Sequence, residues 1–162
     1  MTQSYMAALD AIKEAVDDLV MATEEVDGGR VRDTQLTDTQ VTALRATPRI
    51  LVPTPGAGKA IIVDKVYAVL DDDAGTYTES ADNLVIEYTD GTDIMTMETT
   101  GWVGGAVSPR VQMPPYTAVF APIANAGVQI KNSGDGEFGG GNAANSLSLR
   151  VYYHVVDVVA FA

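Results

Sequence analysis

Apolar side chains first recur at Tyr5, Leu9, Ile12, Val16 and Leu19, in alternating steps of four and three, with Met6 and Val20 widening the stripe. This spacing predicts a helix between Ser4 and Val26 with one narrow apolar seam. Ser4 is placed to cap its start, and Gly28-Gly29 ends it. Asp17, Asp18, Glu24 and Glu25 crowd its C-terminal half, where the helix dipole disfavours them. A helix this short is marginal alone. Its seam therefore needs a partner, either the chain's own domain or further copies, since four-three spacing is also that of a short bundle.

The pattern changes after Gly29. Arg30 to Thr47 is polar and has only Val31, Leu36, Val41 and Leu44 to bury. It reads as an arm with at most a helical turn near Thr39 to Arg45. From Pro48 onward the runs are β-branched or alternating: 50–52, 60–70, 84–89, 94–97, 118–120, 128–131 and 146–159, parted by Gly, Pro, Asn and Asp clusters. Strands without an intervening helix predict a mainly β chain, an antiparallel β-sandwich or jelly-roll-like domain. The organisation expected is a helix at 1–29, an arm at 30–47 and the β domain at 48–162.

Two runs carry that reading. Ala60 to Leu70 is apolar at both parities, with Ile61, Val63, Tyr67 and Val69 against Ile62, Val66, Ala68 and Leu70, which predicts a strand covered on both faces. In the last run Leu147, Leu149, Val151, Tyr153 and Val155 oppose Ser148, Arg150, Tyr152 and His154. That is a half-buried strand whose parity breaks at 155–159, as at a bulge or a subunit contact. Tyr88-Thr89-Asp90-Gly91-Thr92 signals a hairpin. The loop 132–145, with Gly134, Gly136, Gly139, Gly140 and Gly141, reads as flexible surface.

Charge narrows the partners. Ten Lys and Arg against 22 Asp and Glu give a net charge of −12, a field that repels phosphate backbones and anionic lipid. Nucleic acid and membrane are therefore not expected partners. No cysteine is present, which removes disulfides, thiol nucleophiles and thiolate metal sites. No apolar run approaches the roughly 20 residues of a bilayer span, and the N-terminus does not read as a leader, so a soluble, unprocessed chain is expected.

Candidate chemistry is sparse. Gly56-Ala57-Gly58-Lys59 suggests a phosphate loop, but Pro53 stands where the first glycine belongs and Ala60 where a Ser or Thr would hold the metal. A strand-like run follows it in place of a helix, so it reads as a turn. Asp71-Asp72-Asp73-Ala74-Gly75 misses the calcium-loop spacing and reads as an acidic turn, with a weak cation site shared between loops left open. His154 is the single histidine, and no carboxylate near it in sequence shares its strand face. No catalytic residue, cofactor or metal ligand is expected. Trp102 among glycines and Tyr116 after Met113-Pro114-Pro115 are either recognition residues or plugs for a sandwich end.

The stretches LRATPRILVPTPGAGKAIIVDKVYAVL (44–70), SADNLVIEY (80–88) and GEFGGGNAANSLSLRVYYHVV (136–156) together resemble small β-structured virion proteins of tailed bacteriophages, of the kind that decorate or cement the capsid. The resemblance spans roughly residues 40–160 and rests on structural punctuation. It implies a jelly-roll-like fold and a homo-oligomer, most often a trimer, on the outer surface of the head. Its partners would be the major capsid protein and its own copies, with no catalytic residue to carry over. The candidate interface is then Tyr5, Leu9, Ile12, Val16 and Leu19 with Trp102 and Tyr116. The alternative is a carbohydrate- or receptor-binding module of a tail or fibre, using Trp102 and the glycine-rich loops.

Overall fold

A computed structural model describes residues 29–78, 83–105, 107–117 and 121–158. The predicted N-terminal helix and its seam, and the strand expected at 118–120, lie outside the described residues. Ten strands are described: β1 (Gly29–Thr37), β2 (Arg49–Val52), β3 (Lys59–Asp71), β4 (Tyr77–Thr78), β5 (Asn83–Tyr88), β6 (Asp93–Glu98), β7 (Arg110–Gln112), β8 (Val128–Asn132), β9 (Gly139–Gly140) and β10 (Ser146–Asp157). One short helix, α1 (Asp38–Val41), follows β1. One sheet has the order β1-β10-β3-β7, a second β2-β8-β5-β6, and β4 pairs with β9. The mainly β, antiparallel character expected from the alternating runs is what forms.

The two four-stranded sheets enclose one apolar core. Val66, Ala68, Leu70, Leu147, Leu149 and Val151 meet Leu84, Ile86, Met95, Met97, Val128 and Ile130, all of them buried. Across this layer the Tyr88 hydroxyl donates to the Ile61 carbonyl at 2.5 Å, so a buried polar group of one sheet is satisfied by the backbone of the other. Burial pushes the Tyr88 phenol up to about 12.

β3 departs from the expected covering on both faces. Tyr152 pairs with Lys65 but Tyr153 pairs with Val63, so Asp64 is an extra residue in β3. This bulge switches parity: Ile61 and Val63 before it and Val66, Ala68 and Leu70 after it all face the core. Ile62, Tyr67 and Val69 are left half-buried on the outer face. The parity break expected at 155–159 is thus placed in the partner strand, while β10 pairs without a slip from Tyr153 to Asp157. The strand buried at both parities is β5, where Val85 and Glu87 are buried along with Leu84, Ile86 and Tyr88. Glu87 lies 2.5 Å from the Lys131 ammonium and accepts from the Gln129 amide at 2.6 Å.

The expected arm at 30–47 is also corrected. Its first eight residues belong to the edge strand β1, which pairs with β10, and Leu36, Val41 and Leu44 are buried. Residues on an edge strand face solvent on several sides, so its sequence stays polar and carries no period-two signal. The helical turn expected near Thr39 is α1, where the Gln40 side-chain oxygen accepts from the Thr37 N–H at 3.0 Å. The β structure therefore begins at Gly29, well before residue 48.

The glycine-rich loop is fastened at several points. Phe138 is buried, Gly139–Gly140 pair with β4, and the Glu137 carboxylate accepts the Arg45 and Ala46 N–H groups at 2.9 and 2.7 Å. The Pro53–Lys59 stretch is a turn between β2 and β3, with Gly56 at φ +102° and Gly58 at φ +73°. Gly91 at φ +93° closes the predicted hairpin, where its N–H meets the Tyr88 carbonyl at 2.8 Å.

Candidate functional site

The segment 107–117 links the two sheets along one side of the sandwich. Arg110–Gln112 form β7 against β3, and five residues after Gln112 Thr117 donates its N–H to the Ile94 carbonyl of β6. A chain crossing from one sheet edge to the other has few neighbours on its far side, so its outward side chains stay open. Val107 is 71% exposed, Val111 64%, Met113 57% and Tyr116 48%. Together they form an apolar ridge along the edge.

The segment that carries the ridge has no carboxylate of its own, and Asp64 of β3 is the acidic side chain that acts on Tyr116. No Asp or Glu lies between Glu98 and Asp135, in a chain that carries 22 of them. The one cation of 107–117, Arg110, turns inward: it is paired with Asp72 at 2.5 Å, and the two side chains are 11% and 1% exposed. The same guanidinium donates to the carbonyls of Trp102, Gly105 and Val107. It thereby ties the loop before β7 to the acidic turn after β3. Gly104, at φ +73°, lets that loop pass close to β4, since a Cβ there would meet the Tyr77 carbonyl at 2.9 Å.

Trp102 and Tyr116 part company here. Trp102 is buried and packs in the core, which corrects its candidacy as an exposed recognition residue: a large ring beside three glycines finds more apolar surface inward than outward. Tyr116 lies on the ridge, its hydroxyl 2.6 and 2.7 Å from the Val63 and Asp64 carbonyls at the β3 bulge. Burial and the nearby Asp64 carboxylate raise its phenol above the usual range. Tyr5, Leu9, Ile12, Val16 and Leu19 lie outside the described residues. Val107 and Val111 were not singled out from sequence, and the signal that could have found them is the long absence of carboxylates.

The remaining candidates are engaged in structure. Lys59 pairs with Asp157 at 3.0 Å across the β3–β10 end, as a turn residue would. In the acidic turn Asp72 is committed to Arg110, and Asp71 accepts from the Ser108 hydroxyl at 3.2 Å. His154 Nδ1 lies 2.7 Å from Asp64, a carboxylate brought beside it by the bulge and distant in sequence. Among the described residues no group of three or more His, Cys, Asp and Glu is placed to hold a metal.

No protein-family model and no curated protein matches the chain. Among solved structures, a chain of a cyanophage Pam1 capsid asymmetric unit is similar at 17% identity with a TM-score of 0.47, over 77% of this chain and 83% of that one. At that identity and score the likeness is remote.

Proposed function

We propose that the protein is a non-catalytic structural virion protein, one that decorates or cements a tailed-phage capsid as a homo-oligomer, most simply a trimer. The observation that carries this is the exposed apolar ridge of Val107, Val111, Met113 and Tyr116. Exposed apolar side chains concentrated on one short segment mark association surfaces, and interface cores are rich in aromatics and Met. A heterologous contact between this edge and another part of a neighbouring copy closes into a ring when its rotation completes a full turn, which for a trimer is a rotation of about 120°. The strand order, β1-β10-β3-β7 facing β2-β8-β5-β6, supports a jelly-roll reading, and the sequence resemblance points to the outside of the head.

Sedimentation of the wild type and of a Val111→Asp, Met113→Asp double variant tests the assembly. The wild type should sediment as a trimer and the variant as a folded monomer. A wild type that stays monomeric at high concentration, or a variant that still trimerises, overturns it. Electron cryomicroscopy of the particle encoded with this chain should show it on the head surface; its presence only in the tail, or its absence, overturns the virion reading.

A further inference from the structure

The geometry points to a second site: the outer face of the β1-β10-β3-β7 sheet binds a neutral oligosaccharide. This goes beyond the structural role and stands independently of where the protein sits in a particle. A groove of about 860 Å³ crosses this face, with Asp33 and Gln35 from β1, Ser148, Arg150 and Tyr152 from β10, and Tyr67 from β3 among its walls, and it shares Val111 with the ridge. That volume lies within the range of roughly 300–1,000 Å³ typical of small-ligand sites. The β3 bulge makes the groove possible, because it turns Tyr67 and Val69 outward while Val66 and Ala68 stay in the core.

Two features match a sugar. The first is an ordered aromatic wall. The rings of Tyr67 and Tyr152 meet edge to face at 75° with centroids 5.9 Å apart. The Lys65 ammonium sits 4.3 Å from the Tyr152 centroid and 5.5 Å from that of Tyr67. Rings held this way lose little freedom on binding, and the apolar C–H face of a pyranose packs on such a surface. The second is a polar wall offering donors and acceptors together. Arg150 Nε and Nη2 donate to the two Asp33 oxygens at 2.7 and 2.8 Å, and both side chains are more than half exposed. The exposed pair lines the groove together with Ser148 and Gln35. A sugar hydroxyl donates and accepts at once, so it needs this mixture.

Charge selects the class of sugar. The Asp33–Arg150 fork cancels locally and the Lys65 ammonium lies over the tyrosine rings, so a neutral saccharide meets no repulsion there. An acidic one would approach against the field of a chain with net charge −12.

Saturation-transfer NMR on the full chain with maltotetraose, cellotetraose and chitotetraose tests this. At least one should receive saturation at its ring C–H protons. Tyr67→Ala should weaken its binding about tenfold or more, in line with the loss of one aromatic contact and its buried area, and Tyr67→Phe should retain it. Should Tyr67→Ala not fold, Asp33→Ala at its exposed pair carries the same test, with an expected loss of about fivefold. No transfer to any of the three at millimolar sugar overturns the proposal, as does transfer that neither variant weakens. A hyaluronan tetrasaccharide bound in preference overturns the neutral class. Wild-type self-association abolished by Tyr67→Phe and Asp33→Ala alike would assign the face to a second copy and overturn it too.

Discussion

The β1-β10-β3-β7 sheet carries an arginine–aspartate pair near each of its edges, and the two pairs teach different things about the same chemistry. At the β7 edge, Arg110 and Asp72 meet at 2.5 Å with side chains 11% and 1% exposed, and the guanidinium also serves three loop carbonyls. At the β1 edge, Arg150 and Asp33 form two parallel bonds at 2.7 and 2.8 Å, but the side chains are 53% and 60% exposed. The second pair has the better fork. Water, however, replaces its partners at small cost, whereas nothing replaces those of Asp72. Surroundings set the consequence, and fork geometry does not.

The largest expected effect follows from breaking the buried pair. Asp72→Ala leaves the Arg110 charge without its counter-ion in a nearly closed site, and urea unfolding should show a loss of about 3–5 kcal/mol. Because Arg110 fixes the carbonyls of Trp102, Gly105 and Val107, the loop should loosen too, with the near-ultraviolet circular dichroism of Trp102 weakening in the folded variant. A loss below about 1 kcal/mol, the scale of exposed pairs, would erase the contrast between the two edges.

A smaller effect is expected at the open edge. Asp33→Ala should cost about 0.2–1 kcal/mol. The change should be local: amide exchange quickens in β1, which among the described strands is bonded to β10 alone, while the amides of β3, flanked by β10 and β7, keep their protection. Equal quickening in both strands would mean that β1 unfolds only with the whole sheet, and the difference between edges would then not be one of local stability.

The same contrast explains what could be read from the sequence. β3 and β10 were legible because long apolar alternation survives in them, and β5, β6 and β8 because turn residues bracket β-branched runs. β1 was not, since an edge strand needs only Leu36 to face the core and otherwise looks like a linker. The bulge at Asp64 was hidden because Asp64-Lys65 is polar at both parities, so the sequence fits a slip there and a strand covered on both faces equally well. Of the candidate surface, Tyr116 was legible as an aromatic after Pro114-Pro115. The inward turn of Trp102 was one of two readings the sequence left open, and that of Arg110 was not legible, because it depends on Asp72, 38 positions earlier in the chain. The groove residues were visible only as one face of β10; Asp33 and Tyr67 join Arg150 and Tyr152 through strand register, which no local pattern reports.

The smallest effect expected is a pH dependence at the open edge. The Arg150 hydrogen bonds hold the Asp33 carboxyl below its ordinary 3.8. A carboxyl whose folded pKa is depressed contributes stability that is fully present above its unfolded value and is lost as the pH falls through the folded one. The difference in stability between wild type and Asp33→Asn should therefore be constant at neutral pH and begin to shrink as the pH drops past 3.8. It should vanish once Asp33 is protonated in both states. Its size is a few tenths of a kcal/mol at this exposure, and salt should reduce it further. Paired urea titrations of the two proteins down the acid limb measure it. A difference that widens on acidification would mean that Asp33 is stabilised in its protonated form, and the exposed fork would then not be what fastens β1.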